Sequence, residues 1–117
     1  MWQLNETFTF DMRTITFFNQ QGQAVSATIH WNIAGIITNS ASGNTYHDIG
    51  HFQMVLDLTT GEETDVGVSF NTSVPGLGPV LHEVGKVIFA ANGDITFIAG
   101  PHNVLLGTAP DICTVLL

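Results

Sequence analysis

The sequence predicts an all-β, single-domain antiparallel meander spanning residues 1–117. Three observations carry that expectation. Apolar residues recur with a period of two over most of the chain, the spacing of a half-buried strand, and the 3.6-residue period of a helix is nearly absent. Clusters of Gly, Pro, Asn and Asp punctuate the pattern at short intervals. With 117 residues, 44% of them hydrophobic, the chain can build one core and is too apolar to stay disordered. A barrel-like meander and a two-layer β-sandwich both satisfy the pattern. The long, hairpin-linked strands favour the barrel.

The first strand region covers residues 7–18. Phe8, Phe10 and Met12 share one parity and Ile15 and Phe17 the other, so a bulge or bend is expected at Arg13-Thr14. A turn at residues 19–22 leads to residues 23–38. There Ile29, Trp31, Ile33 and Ile37 share a face with Gly35, opposite Thr28, His30 and Asn32. Residues 39–44, NSASGN, read as an exposed loop. In residues 45–58, Tyr46, Asp48, Gly50, Phe52 and Met54 alternate with His47, Ile49, His51 and Gln53. A turn at residues 59–62 precedes residues 64–74, with Val66, Val68 and Phe70 inward. Residues 75–79, PGLGP, end that strand, since proline cannot donate to a central ladder.

Residues 80–104 form the clearest hairpin, turning at Asn92-Gly93. A two-residue turn places Lys86 opposite Ala99 and mixes polar and apolar residues on both faces. A three-residue turn with Gly93 in a G1 bulge pairs Phe89 with Ile95 and Val87 with Phe97, giving one apolar face, and is preferred. Continued outward, His82 then meets His102; in the other register Glu83 does. Either way His82, Glu83 and His102 gather at the open end. A short strand at 104–106 follows. Thr108 reads as a cap with Asp111 three residues on, and 112–117 as a helical turn or a strand against the core.

The stretch PGLGPVLHEVGKVIFAANGDITFIAGPH, with Cys113 beyond it, resembles the C-terminal part of a group of uncharacterised secreted bacterial β-rich proteins. Their pattern reads AG(K/R)VVFD..GNVLFEAGPH, with a Gly-rich loop before it and a Cys after it. The resemblance covers about the last third of the chain. It implies an all-β domain and secretion, and no particular activity. The group often carries an upstream Cys as well. This chain has Cys113 alone, so no internal disulfide can form.

Charge removes several function classes. The net charge is −8, with Arg13 and Lys86 the only basic side chains, so no nucleic-acid partner is expected and anionic membranes are disfavoured. No apolar run reaches the roughly 20 residues of a spanning helix. A transmembrane barrel lacks its aromatic girdles, Tyr46 being the single tyrosine. Charged residues make up only 10% of the chain, which suits an extracellular β-protein. The segment MWQLNETFTF has neither a basic nor an apolar signal region, so a signal peptide is expected to have been removed.

Candidate chemistry is sparse. On a strand, His47 and His51 stand about 13 Å apart, too far to share a zinc ion. His82 and His102 are the better metal candidates, and no cofactor is expected. Asp48 and Glu83 fall on apolar parities, where a carboxylate needs a partner or a proton. Each is a candidate general acid or base, with Tyr46, His82 and His102 as helpers. A bulge at Gly50 or Gly85 would instead turn the acids outward. No nucleophile elbow or phosphate loop is present.

Three functions follow. The first is a barrel binding an apolar small molecule among Phe8, Phe10, Trp31, Phe52, Phe70, Phe89 and Phe97. The second is a barrel isomerase, cyclase or hydrolase using an inward carboxylate. The third is a structural β-protein that assembles as a homo-oligomer through exposed strand edges.

Overall fold

The computed structural model describes residues 2–117. Six strands, β1 (Leu4–Phe18), β2 (Ala24–Asn39), β3 (Thr45–Asp57), β4 (Glu63–Val74), β5 (Gly78–Phe89) and β6 (Ile95–Ala99), are followed by one helical turn, α1 (Ile112–Val115). They form one antiparallel sheet in the order β1-β2-β3-β4-β5-β6. The expected all-β meander is therefore present. The sheet is not closed into a barrel. β1 offers 15 residues of edge and β6 only 5, so the two edges cannot match along their length.

The long register-matched strands give the sheet two distinct faces. One face carries Phe8, Phe10 and Met12 from β1, Ile33, Trp31 and Ile29 opposite or beside them on β2, and Phe52 and Met54 on β3. The other carries Thr9, Asp11 and Arg13, then Asn32 and His30, then His51 and Gln53. Along β3 the first face is buried or half-buried at Tyr46, Asp48, Gly50, Phe52 and Met54, and the second is exposed at each intervening residue from Thr45 to Gln53. The molecule measures 58 × 26 × 25 Å. Extents this equal across the strands mean that the sheet is not flat but strongly twisted or curved, and the apolar face, the more sheltered of the two, is its inner side.

The core lies at one end of that inner face. Ile37, Tyr46, Val80 and Leu116 are buried together, with Leu4, Val74, Leu81 and Val115 against them. α1 delivers Leu116. Asp111 caps the turn, accepting from the Cys113 N–H at 3.0 Å and from Thr114 Oγ1 at 3.2 Å. Asn39 Nδ2 donates to the Leu116 carbonyl at 3.0 Å, and Ser42 Oγ and Asn44 Nδ2 donate to that of Leu117. The polar loop at 39–44 thus holds the apolar tail in place.

Several local expectations need correction. Pairing of β1 with β2 is unbroken from Leu4 to Phe17, so there is no bulge at Arg13-Thr14. Ile15 and Phe17 simply lie on the outer face, which an edge strand tolerates. Val66 and Val68 are also on the outer face, and a register shift beside Ser69 returns Phe70 to the inner one. β4 ends at Val74 as expected, but Pro79 is within β5 rather than before it, at its first pairs beside another register shift. Residues 104–106 form a turn, not a strand, and the helix cap is Asp111 rather than Thr108.

The hairpin between β5 and β6 combines both registers. The Ala90 N–H donates to the Asp94 carbonyl at 2.8 Å, closing a three-residue turn, and Phe89 pairs with Ile95. A bulge at Thr96 then moves every pair by one, so Val87 meets Ile98 and Lys86 meets Ala99. Phe97 goes to the outer face, where the Lys86 ammonium lies 5.5 Å from its ring centre. Gly85 lets the strands close past this bulge. Its φ is +121°, and a Cβ there would strike the Ala99 carbonyl oxygen and lie 3.0 Å from Gly100 Cα. Gly93 has φ +91° with open space around it. Gly85→Ala is expected to lower stability by roughly 2 kcal/mol or more, and Gly93→Ala by about 1 kcal/mol. Urea unfolding at fixed protein concentration checks this, and equal losses would contradict the close approach at Gly85.

Candidate functional site

The bulge at Thr96 decides which residues meet at the open end of the hairpin. Glu83 and His102 form an isolated antiparallel bridge and are 3% and 5% exposed. His102 Nδ1 lies 2.8 Å from Glu83 Oε2, and His102 Nε2 lies 2.6 Å from the Ala99 carbonyl oxygen. Glu83 Oε1 accepts from the Val104 and Leu105 N–H groups at 2.8 and 2.7 Å. Both ring nitrogens face oxygen acceptors, and both carboxylate oxygens face donors. An imidazolium beside a carboxylate satisfies every one of these bonds. The pair fastens the loop at 100–107 to β5.

His82 does not join this pair. It is one residue from Glu83 on a strand, so it lies on the outer face, paired with Asn71. The expected meeting of three residues is thus a meeting of two. His82 and His102 cannot share a metal ion, because the sheet separates them and both His102 nitrogens are engaged. Asn103, which sequence reasoning missed, secures the other side. Its Oδ1 accepts from the His82 N–H, and its Nδ2 donates to the Val80 carbonyl, each at 2.8 Å. The asparagine directly after Pro101-His102 was the available signal.

Asp48 sits half-buried on the inner face, as its parity predicts. Its Oδ1 accepts from the Asn71 N–H and from Thr72 Oγ1, both at 3.2 Å. Glu6 on β1 reaches it across Gly35, where a Cβ would come within 2.7 Å of Glu6 Oε1. Partial burial raises the Glu6 pKa, and the hydrogen bond to Asp48 and its charge raise it further. A second acid on this face is Asp65, opposite Met54 and Val87. Burial, then the charge and hydrogen bond of Glu63, push its pKa up to about 7. Glu6 continues the parity of Phe8 and Phe10 and was legible on that ground. Asp65 was hidden by the assumption that Val66 points inward.

The aromatic residues divide. Phe8, Phe10, Trp31 and Phe52 form a continuous row across three strands, with successive ring centres 6.2, 5.9 and 6.2 Å apart. Phe70 and Phe89 share the inner face, and Phe97 does not. Phe8 and Phe10 remain 55% and 58% exposed. Concavities along the sheet, such as the one lined by Thr7, Phe8, Gly35, Ile36, Asp48 and Ile49, are open grooves rather than enclosed cavities. Tyr46 belongs to the apolar core. Among the described residues, no three His, Cys, Asp or Glu side chains converge to hold a metal ion. Cys113 is exposed.

No protein-family model, curated protein or solved structure matches the chain.

Two outcomes test this geometry. His102→Ala leaves the Glu83 carboxylate buried without its cation and is expected to cost about 3–5 kcal/mol. A loss below about 1 kcal/mol in urea unfolding would remove the pair from its anchoring role. For Asp65, the raised pKa means that its stabilising contribution is complete below the unfolded value near 3.8 and is lost as pH rises through about 7. Asp65→Asn is therefore expected to raise the urea midpoint at pH 8 and to leave it unchanged near pH 4. A midpoint at pH 8 equal to that of the parent would contradict the assignment.

Proposed function

We propose that this chain is a self-associating structural β-domain whose curled sheet is completed by a second copy. The observation that carries the reading is the uncovered inner face. The chain exposes 7268 Å² at a mass of 12.6 kDa. A compact monomer of that mass exposes about 6,200 Å². The excess of about 1,000 Å² is close to the roughly 800 Å² per partner that a stable interface buries. The radius of gyration, 17.0 Å against about 13 Å for a compact chain of this length, points the same way.

The exposed residues suit that role. Phe8, Phe10 and Met12 stand on the inner face at 55%, 58% and 48% exposure, an apolar patch larger than scattered surface residues produce. Burial on this face raises the pKa of both Glu6 and Asp65, that of Asp65 to about 7. Two curled sheets facing each other enclose one apolar interior, and the barrel expected of the single chain then belongs to the pair. Any apolar small molecule would bind only inside that shared enclosure, because one sheet offers open grooves. The low charged fraction and the resemblance in the C-terminal third support an extracellular setting.

Sedimentation equilibrium is expected to return twice the chain mass of 12.6 kDa at micromolar concentration. Phe10→Asp places a charge in the buried interior and is expected to weaken association by about 100-fold or more. Ile49→Asp, at a residue 50% exposed but on the outer face, is expected to leave the mass unchanged. A parent chain that sediments as a monomer throughout would overturn the reading.

A further inference from the structure

We infer that two copies join along β1, antiparallel about a two-fold axis at Met12, so that Asp11 of each copy faces Arg13 of the other. The inference rests on the self-association proposed above and names the seam.

The first observation is which edge is free. β1 pairs only with β2, and its other edge leaves the main-chain groups of a 15-residue strand without a ladder partner. The opposite edge is short, since β6 has only 5 residues. β6 stops at Ala99, and beyond it the Glu83–His102 bridge and the Asn103 bonds lay the loop at 100–107 along β5. The charges on β1 are Glu6, Asp11 and Arg13, one of them basic. The strand contains no proline, no lysine and no interior bulge, its register shifting only at Phe17/Phe18. A two-fold seam between two copies of β1 also matches equal lengths, which pairing β1 with the 5-residue β6 would not.

The second observation selects the register. Arg13 is one of only two basic residues in a chain of net charge −8, and it forms no ion pair among the described residues. Asp11, two residues away on the same outer face, forms none either. In a two-fold antiparallel pair, the residue numbers of facing partners have a constant sum. Centring on Asp11 sets that aspartate against itself, and centring on Arg13 sets the arginine against itself. Centring on Met12 places each Asp11 opposite an Arg13, twice per pair. The same alignment puts Phe10 opposite Thr14 and Phe8 opposite Thr16 on the inner face, and Thr9 opposite Ile15 on the outer. No other like charges meet between Glu6 and Phe18. Directly facing side chains stand about 4.5–5.5 Å apart at Cβ, so opposite charges favour this register and like charges oppose it.

Charge reversal tests the seam. Asp11→Arg and Arg13→Asp each create two like-charge contacts per pair, and each alone is expected to weaken association roughly ten-fold or more in sedimentation equilibrium. The double variant Asp11→Arg/Arg13→Asp restores opposite charges and is expected to recover an affinity within about three-fold of the parent. Circular dichroism verifies that these exposed substitutions leave the sheet intact. If the parent associates and both single variants match it, or if the double variant is as weak as either single one, the seam is wrong while association through the inner face stands. A monomeric parent overturns both.

Discussion

A single β-layer cannot cover its own apolar face. Two-residue alternation sorts this chain into an apolar inner face and a polar outer one, and six consecutive strands spread that face over a layer nearly 60 Å long. Only at one end does the chain fold back over it. There α1 and the tail bring Leu116 onto Ile37, Tyr46 and Val80. Elsewhere the hydrophobic residues gain what cover they have from neighbours in the same sheet and from its curl. That cover is good at Val87, at 4% exposure, and poor at Phe10. The contrast between a shielded centre and a bare edge strand is the main physical fact about this molecule.

The polar interactions are placed where the fold needs fastening. The Glu83–His102 pair and Asn103 hold the loop after β6 against β5, and Asn39, Ser42 and Asn44 hold the tail. Both devices act on segments that lack a ladder of their own. Buried charge pairs are weak sources of net stability, but their geometry specifies one arrangement, and removing one partner is costly. In this chain the arrangement specified is the loop at 100–107 held along β5 beyond β6, so the free edge on that side is the 5-residue β6 and the longer free edge is β1.

The period-two pattern made the strands, the meander and the inward placement of Asp48 legible, because these depend on neighbours two residues apart. The meeting of Glu83 with His102 was legible as one of two registers. Choosing between them needed the bulge at Thr96, which local pattern does not show, and the close approach of Gly85 to Ala99 and Gly100 beyond it is equally invisible there. His82 was misplaced for the same reason that adjacent strand residues always diverge: the two sides of a strand cannot serve one site. The open sheet was not legible either. Closure depends on the relative lengths of the two edges, and Gly100-Pro101 shortens one of them. Glu6 was legible from the parity it shares with Phe8 and Phe10, whereas Asp65 was hidden because the alternation around Val66 and Val68 points the apolar residues outward there.

The acid pairs and the aromatic row share the inner face beside the free edge of β1, and the proposed self-association makes that surface an interface. Amide hydrogen exchange along β1, followed as protein concentration is raised from nanomolar to high micromolar, tests this most directly. The account predicts that the outward-facing amides of Leu4–Phe18 exchange rapidly when dilute and become protected when concentrated, while the amides of β3 and β4 stay protected throughout. Rapid exchange along β1 that does not change with concentration would contradict it.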